Sequence, residues 1–200
     1  MKRVLVKKEL LESLYLDKKF SVSQIAEKLG YSQTGINYLF KKFNIKKRTI
    51  GESIYLKWNP KGDPFEVALP QTPEDYFLFG LGLGLFWGEG TKRSPHSVRL
   101  GNTDPDLIKV FVIFLIKFFK IKKSKLRFGL QLFNDISEDE AKKFWMKKLS
   151  ISDKQFYKTI ISISGKKGTY KNKVKFGVLT VYFNNRKLRD FIISKIDDLR

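Results

Sequence analysis

The chain has 200 residues, 42% of them hydrophobic, and carries 40 Lys plus Arg against 20 Asp plus Glu, a formal charge of +20. That composition excludes a disordered tail and points to a polyanionic partner, since each phosphate contacted by a Lys or Arg releases counterions. The chain has no Cys and a single His, His96, which excludes disulfides, thiolate catalysis and the usual zinc sites. DNA-binding and RNA-binding proteins share such a charge, so charge alone does not choose between them. The first residues carry acids and lack a long apolar run, so a secretory signal is not expected. The longest apolar stretches, 78–87 and 107–121, are respectively too short to span a bilayer and interrupted by Lys109, Lys117 and Lys120. They read as core helices of a cytoplasmic protein with no membrane partner.

Along the chain, residues 7–17 place Leu10, Leu11, Leu14 and Tyr15 at helical spacing. Ser21 with Gln24 three residues on reads as a capping box that opens a second helix running to Leu29. Gly30 then makes a turn in which a positive φ costs glycine little. Ser32 caps a third helix, 33–43. Ile25, Ala26, Ile36 and Leu39 face inward, and Ala26 is small where two helices cross. This pattern resembles the helix-turn-helix of bacterial regulators and recombinases. The resemblance implies that the third helix enters the major groove, with Gln33, Thr34, Asn37 and Tyr38 toward base edges and Lys41 and Lys42 toward phosphates. A three-helix unit for protein contacts is the alternative; the basic run Lys46-Lys47-Arg48 favours nucleic acid.

Residues 49–73 hold Pro60, Gly62, Pro64, Pro70 and Pro73 without a sustained period and read as a linker, with a short helix possible at 51–57. Thr72-Pro73-Glu74-Asp75 opens a new helix with a cap, a proline at the first position and acids in the first turn. It continues as YFLFGLGLGLFWGEG over residues 76–90. An interior glycine costs a helix roughly 1 kcal/mol relative to Ala, so Gly80, Gly82, Gly84 and Gly88 need a compensating reason. Gly80, Gly84 and Gly88 are four apart and share one face, where another helix can approach closely. The helix ends at Glu89-Gly90, an acid at a helix C-terminus that the dipole disfavours, followed by a C-terminal glycine.

The stretch LGLGLFWGEG resembles the LAGLIDADG motif of homing endonucleases in the variant ending Gly-Glu-Gly. The segment SVRLGNTDPDLIKVF, residues 97–111, is similar to the stretch after that motif in many such proteins, a strand, then an Asn-Thr-Asp-Pro cap and a second helix. The resemblance covers residues 74–200. Gly84 and Gly88 match the helix-packing positions and Glu89 the metal-binding acid; Trp87 stands at the motif's variable first Asp.

Downstream, 98–102 reads as a strand, and Asp104 caps a helix from Pro105 to Phe119. Residues 125–133 alternate Leu126, Phe128, Leu130 and Leu132 as a strand, whose other face offers Lys125, Arg127 and Gln131 to a groove. Ser137 opens a helix to residue 149, an addition to the compact family core. Strands at 157–164 and 174–182 flank the basic loop GKKGTYKNK with Lys166 and Lys167, and an amphipathic helix covers 187–199. The expected fold class is α+β: a small all-α helix-turn-helix domain (1–48), a linker (49–73), and a LAGLIDADG-type mixed α/β domain with a curved antiparallel sheet (74–200).

The resemblance implies that two such helices pack side by side, with their acids meeting at the scissile phosphates and holding a divalent cation, Mg²⁺ or another. The sequence holds one motif, so the second comes from a second chain, and a homodimer through Gly80, Gly84 and Gly88 on a near-palindromic double-stranded DNA target is expected. Glu89 is the leading catalytic and metal-binding residue. Lys92 and Arg93 come just after it and suit phosphate, and Lys173 and Lys175 are candidates for the family's sheet lysine. Asp104 and Asp106 read as cap residues, and His96 as a surface residue rather than a general base. The expected function is a site-specific, metal-dependent DNA endonuclease of a mobile element. The alternative is a transcriptional regulator that keeps the fold for binding alone, with RNA binding or processing as a third reading.

Overall fold

Ser21 and Gln24 form the capping box foreseen from their spacing: the Gln24 N–H donates to Ser21 Oγ at 3.2 Å and the Ser21 N–H to Gln24 Oε1 at 2.9 Å. They open α2 (Val22–Leu29) in the computed structural model, which describes residues 6–163 and 175–198. Gly30 closes α2 in the left-handed region at φ 68°. The Tyr31 N–H reaches back to Ala26 O at 2.9 Å and the Gly30 N–H to Glu27 O at 3.3 Å, a pairing that satisfies the last carbonyls of the helix. Ser32 then caps α3 (Gln33–Lys42) through the Gly35 N–H. Ahead of both, α1 (Lys8–Glu12) runs on into a π-helical turn, Ser13–Asp17. Leu11, Leu14, Ile25, Ala26, Ile36, Phe40 and Ile45 bury the common core of these helices.

Arg48 completes this first unit. Its guanidinium lies 4.0 Å from the Tyr15 ring centroid and donates to Tyr15 O, Lys19 O and Phe20 O, while its N–H donates to Tyr15 Oη at 2.7 Å. Of the run Lys46-Lys47-Arg48, only the two lysines are left exposed to solvent; Arg48 serves the fold. The chain divides between Pro64 and Phe65 into two compact units. The stretch 49–73 is more structured than a linker: Thr49 and Glu52 form a capping box on α4 (Ile50–Trp58). Past Pro64, the Glu66 and Ala68 N–H groups donate to the carbonyls of Phe119 and Phe118.

In the second unit Thr72 caps α5 (Pro73–Glu89). Then come β1 (Val98–Asn102), α6 (Pro105–Phe119), β2 (Arg127–Phe133), α7 (Glu138–Leu149), β3 (Ile160–Ser162), β4 (Val178–Phe183) and α8 (Arg186–Asp197). The four strands form one sheet in the order β1-β4-β2-β3. Burial alternates along them as strand geometry requires. Val98, Leu100, Phe128, Leu130, Leu132, Leu179 and Val181 are buried with α6, α7 and α8 in one core, together with Phe86 of α5. Each such side chain contributes about 1.5–3 kcal/mol by leaving water.

The structure corrects the expected fold in several places. The sheet is mixed, not antiparallel: β3 runs parallel to β2, while β4 is antiparallel to both β1 and β2. The added helix α7 is the reason, because parallel neighbours need a long crossover and α7 supplies it. The last strand starts at Val178, because Gly177 just ahead of it turns the chain at φ 71°, where a Cβ would overlap Leu132 and the Gln131 carbonyl; the expected start at 174 lies outside the described residues. Gly90 ends α5 without a left-handed turn, at φ −71°. Glycine is required there for space, since a Cβ would overlap the Phe86 carbonyl and ring.

Candidate nucleic-acid interface and acidic site

Two surfaces carry the candidate functional residues, one in each unit. In the first, Gln33, Thr34, Tyr38, Lys41 and Lys42 line the exposed side of α3, with Asn37 half-buried among them. Ile36 and Phe40 turn the opposite side into the core. The helical period alone dictates this division, and Tyr38 is left 66% exposed.

In the second unit, Glu89 ends α5 with its side chain in solvent and no hydrogen-bonded or ionic partner among the described residues. One residue separates it from the sheet: Gly90 bridges to Leu100, and the Thr91 N–H donates to Arg99 O at 2.9 Å. The exposed segment after it carries Lys92, Arg93 and His96. It is tied down by Arg189 of α8, whose Nη2 donates to Lys92 O at 2.6 Å. The acid is thus held at the sheet margin, with Lys92, Arg93 and His96 in the exposed segment that follows it. Among the described residues no group of three His, Cys, Asp or Glu side chains is placed to hold a metal ion.

The glycines of α5 separate into two faces. Gly82 is buried against the Phe114 ring of α6. Gly80, Gly84 and Gly88 have nothing within 4 Å of where a Cβ would stand, so their face is open. It is bordered by Phe77, 73% exposed, and by Tyr76, Leu81 and Trp87.

The outer side of the sheet presents Arg127 and Gln131, as the alternation predicts, while Lys125 lies in the short helical turn before the strand. Gln131 Nε2 contacts Ser162 Oγ at 3.4 Å. Lys175 is not a sheet residue; it is exposed in the turn ahead of Gly177, with its Nζ 5.5 Å from the Phe176 ring centroid. Lys166, Lys167 and Lys173 lie outside the described residues. Asp104 is a cap, as its spacing implies, accepting from the N–H groups of Asp106 and Leu107 at 2.8 and 3.3 Å.

Sequence reasoning passed over Arg99 and Tyr182. Both stand on the outer face, directly opposite one another in the register. The signal was present, since each lies between two buried apolar residues of its strand, Val98 and Leu100, and Val181 and Phe183. Among the described residues no helix is long and apolar enough to cross a membrane. Comparison with models of known protein families, with curated proteins and with solved structures finds no match to this chain.

Proposed function

We propose that this chain is a homodimeric, divalent-metal-dependent DNA endonuclease of the LAGLIDADG type, with the N-terminal helices as an added DNA-reading unit. The observation that carries the reading is the pairing of an open glycine face on α5 with a solvent-exposed acid at the end of the same helix. Glycine in a helix interior is costly, and a face that no part of the described chain covers does not repay that cost within one copy. A second copy packed on Gly80, Gly84 and Gly88 does so, buries Phe77 and Leu81, and brings its own acid toward Glu89. The occupant of this face is thus a second copy of the same chain.

Two such acids, with backbone and water oxygens, suit a hard cation. The cation, when bound, supplies charge stabilisation for phosphodiester hydrolysis. The residues of the chain itself bind and orient: α3 reads base edges through Gln33, Thr34, Asn37 and Tyr38, and Lys41, Lys42, Lys92 and Arg93 contact phosphates. The formal charge of +20 supports a duplex as the partner. A twofold dimer calls for a near-palindromic target.

A second reading, a regulator that binds DNA without cutting, is favoured by one observation: a single copy gathers no three metal-ligating side chains among its described residues. Incubating the protein with DNA spanning its own gene, and with the same locus lacking it, in Mg²⁺ and in EDTA separates the two. Mg²⁺-dependent cutting at one position supports the endonuclease. Salt-sensitive binding without cutting in any divalent metal supports the regulator.

A further inference from the structure

We propose that Arg99 and Arg127 form a phosphodiester-binding pair across the outer face of the sheet, with Tyr182 between them. The inference rests on the reading that the second unit lies on duplex DNA, and it names residues that grip the backbone there.

The register sets the row. Arg99 on β1 and Arg127 on β2 both pair with Tyr182 on β4, so the three side chains stand abreast on three adjacent strands. Neighbouring strands are about 4.8 Å apart, which puts the two arginine positions roughly 10 Å apart. That span is about three phosphate-to-phosphate steps of one strand along the duplex axis, at about 3.4 Å each.

Each guanidinium is held by neutral acceptors and keeps donors free. Arg99 Nε donates to Ser97 Oγ at 2.6 Å, and Ser97 is itself buried against Ser94 Oγ at 3.0 Å. Among the described residues both terminal nitrogens of Arg99 are left over. Its Cζ lies 5.2 Å from the Tyr182 ring centroid, within cation–π reach of the ring. Arg127 spends Nη1 on the carbonyls of Ser124 and Leu126, at 2.9 and 3.0 Å, and among the described residues retains Nη2 and Nε. Among the described residues neither arginine has a carboxylate partner. A fixed fork loses less entropy on gripping a phosphate than a free side chain does.

The neighbouring row is shaped for a close approach. Gly101, Thr180 and Gly129 stand abreast in the same register. A Cβ on Gly129 would come within 2.9 Å of the Tyr182 ring, so the glycine lets that ring lie down on the sheet. Tyr157 meets Tyr182 edge-on at 5.4 Å and is held by Asn184 Nδ2 at 3.1 Å. The three strands VRLGN, RFGLQLF and VLTVYF contain no acidic residue. Beside the arginines, then, lies a low, neutral floor without repulsive charge.

An arginine stacked on a tyrosine also stabilises a sheet, and the salt dependence of binding tells the two roles apart. Full-length protein in EDTA is titrated against a short mixed-sequence duplex by fluorescence anisotropy at a series of salt concentrations, alongside Arg99→Gln, Arg127→Gln, Arg99→Lys and Arg127→Lys. Each Gln variant is expected to bind several-fold more weakly and to lower the slope of log K against log salt by about one, with the Lys variants keeping the parental slope. Thermal unfolding of every variant identifies those that fold. Parental slopes in folded Gln variants overturn the pair, even where the parent binds DNA as proposed. Should a Gln variant fail to fold, a parental slope in the Gln variant at the other arginine overturns it equally. A parent that binds no duplex at all overturns the pair and the functional reading together.

Discussion

Gly82 of α5 and Phe114 of α6 compete for one volume: a Cβ on the glycine would stand inside the aromatic ring. The helices meet at this point, and Phe114 is fully buried there among Phe79, Phe111, Phe118 and Phe119. Gly82→Ala is therefore expected to destabilise the second unit by about 1–3 kcal/mol through overpacking, despite the better helix propensity of Ala. Urea unfolding checks this, and an unchanged midpoint would show that α6 can give way.

Gly84 sits two residues on and has open space where a Cβ would go. Gly84→Ala should raise the stability of an isolated copy by roughly 1 kcal/mol through helix propensity. Gly84→Leu should abolish association, because two helices packed on their glycines have no room for a branched side chain. Sedimentation of parent and variant reads the result: a parent dimer and a variant monomer are expected, and equal dimerisation of the two would place the interface elsewhere.

Arg48 joins the N-terminal helices by stacking on Tyr15 and by donating to three carbonyls around the π-helical turn. Arg48→Ala should cost the first unit on the order of 1–3 kcal/mol, the range for losing hydrogen bonds from a charged donor. Arg48→Lys should recover little, since one ammonium cannot reproduce the fork. Hydrogen exchange of the α2 and α3 amides reports the opening of this unit; full protection in Arg48→Lys would contradict the role of the fork.

Acid should loosen the second unit through Glu138. Its carboxylate accepts from Thr159 Oγ1 at 2.6 Å and pairs with Lys142 Nζ at 2.9 Å, and these contacts, the Thr159 hydrogen bond first, hold its pKa below the ordinary 4.5. A folded pKa below the unfolded one means that the contribution is complete above about 4.5 and is lost as pH falls through the lowered value. Lys142, raised from 10.5 chiefly by its hydrogen bond to Glu138, loses its contribution only as pH climbs through that raised value. Thermal midpoints of Glu138→Gln should fall less steeply with acid than those of the parent; parallel curves would remove Glu138 from the acid limb.

Much of this was legible in the residues. Caps spelled out the helix starts: Ser21, Thr72 and Ser137 through the polar or acidic residue three positions on, Ser32 after the Gly30 turn, and Asp104 through the proline that follows it. Alternation gave the inward face of β2. Strand direction was not legible, because pairing is a tertiary choice and period two is the same in either orientation. The roles of the α5 glycines were only half visible: spacing grouped Gly80, Gly84 and Gly88, yet only the placement of Phe114 explains Gly82. Arg48 read as a nucleic-acid contact because its acceptors are backbone carbonyls, which no side-chain pattern displays.

The central claim is that Glu89 serves phosphodiester hydrolysis rather than DNA binding, and Glu89→Gln tests it most directly. The side chain is exposed and without a partner among the described residues, so the change should leave fold and binding intact. Cleavage of the target locus by parent and variant is compared in Mg²⁺, with binding measured in EDTA. The account predicts parental affinity and cutting lost by about two orders of magnitude or more, the scale for removing a group that acts on transition-state charge. Equal cutting by both proteins, or no metal-dependent cutting by the parent, would contradict it.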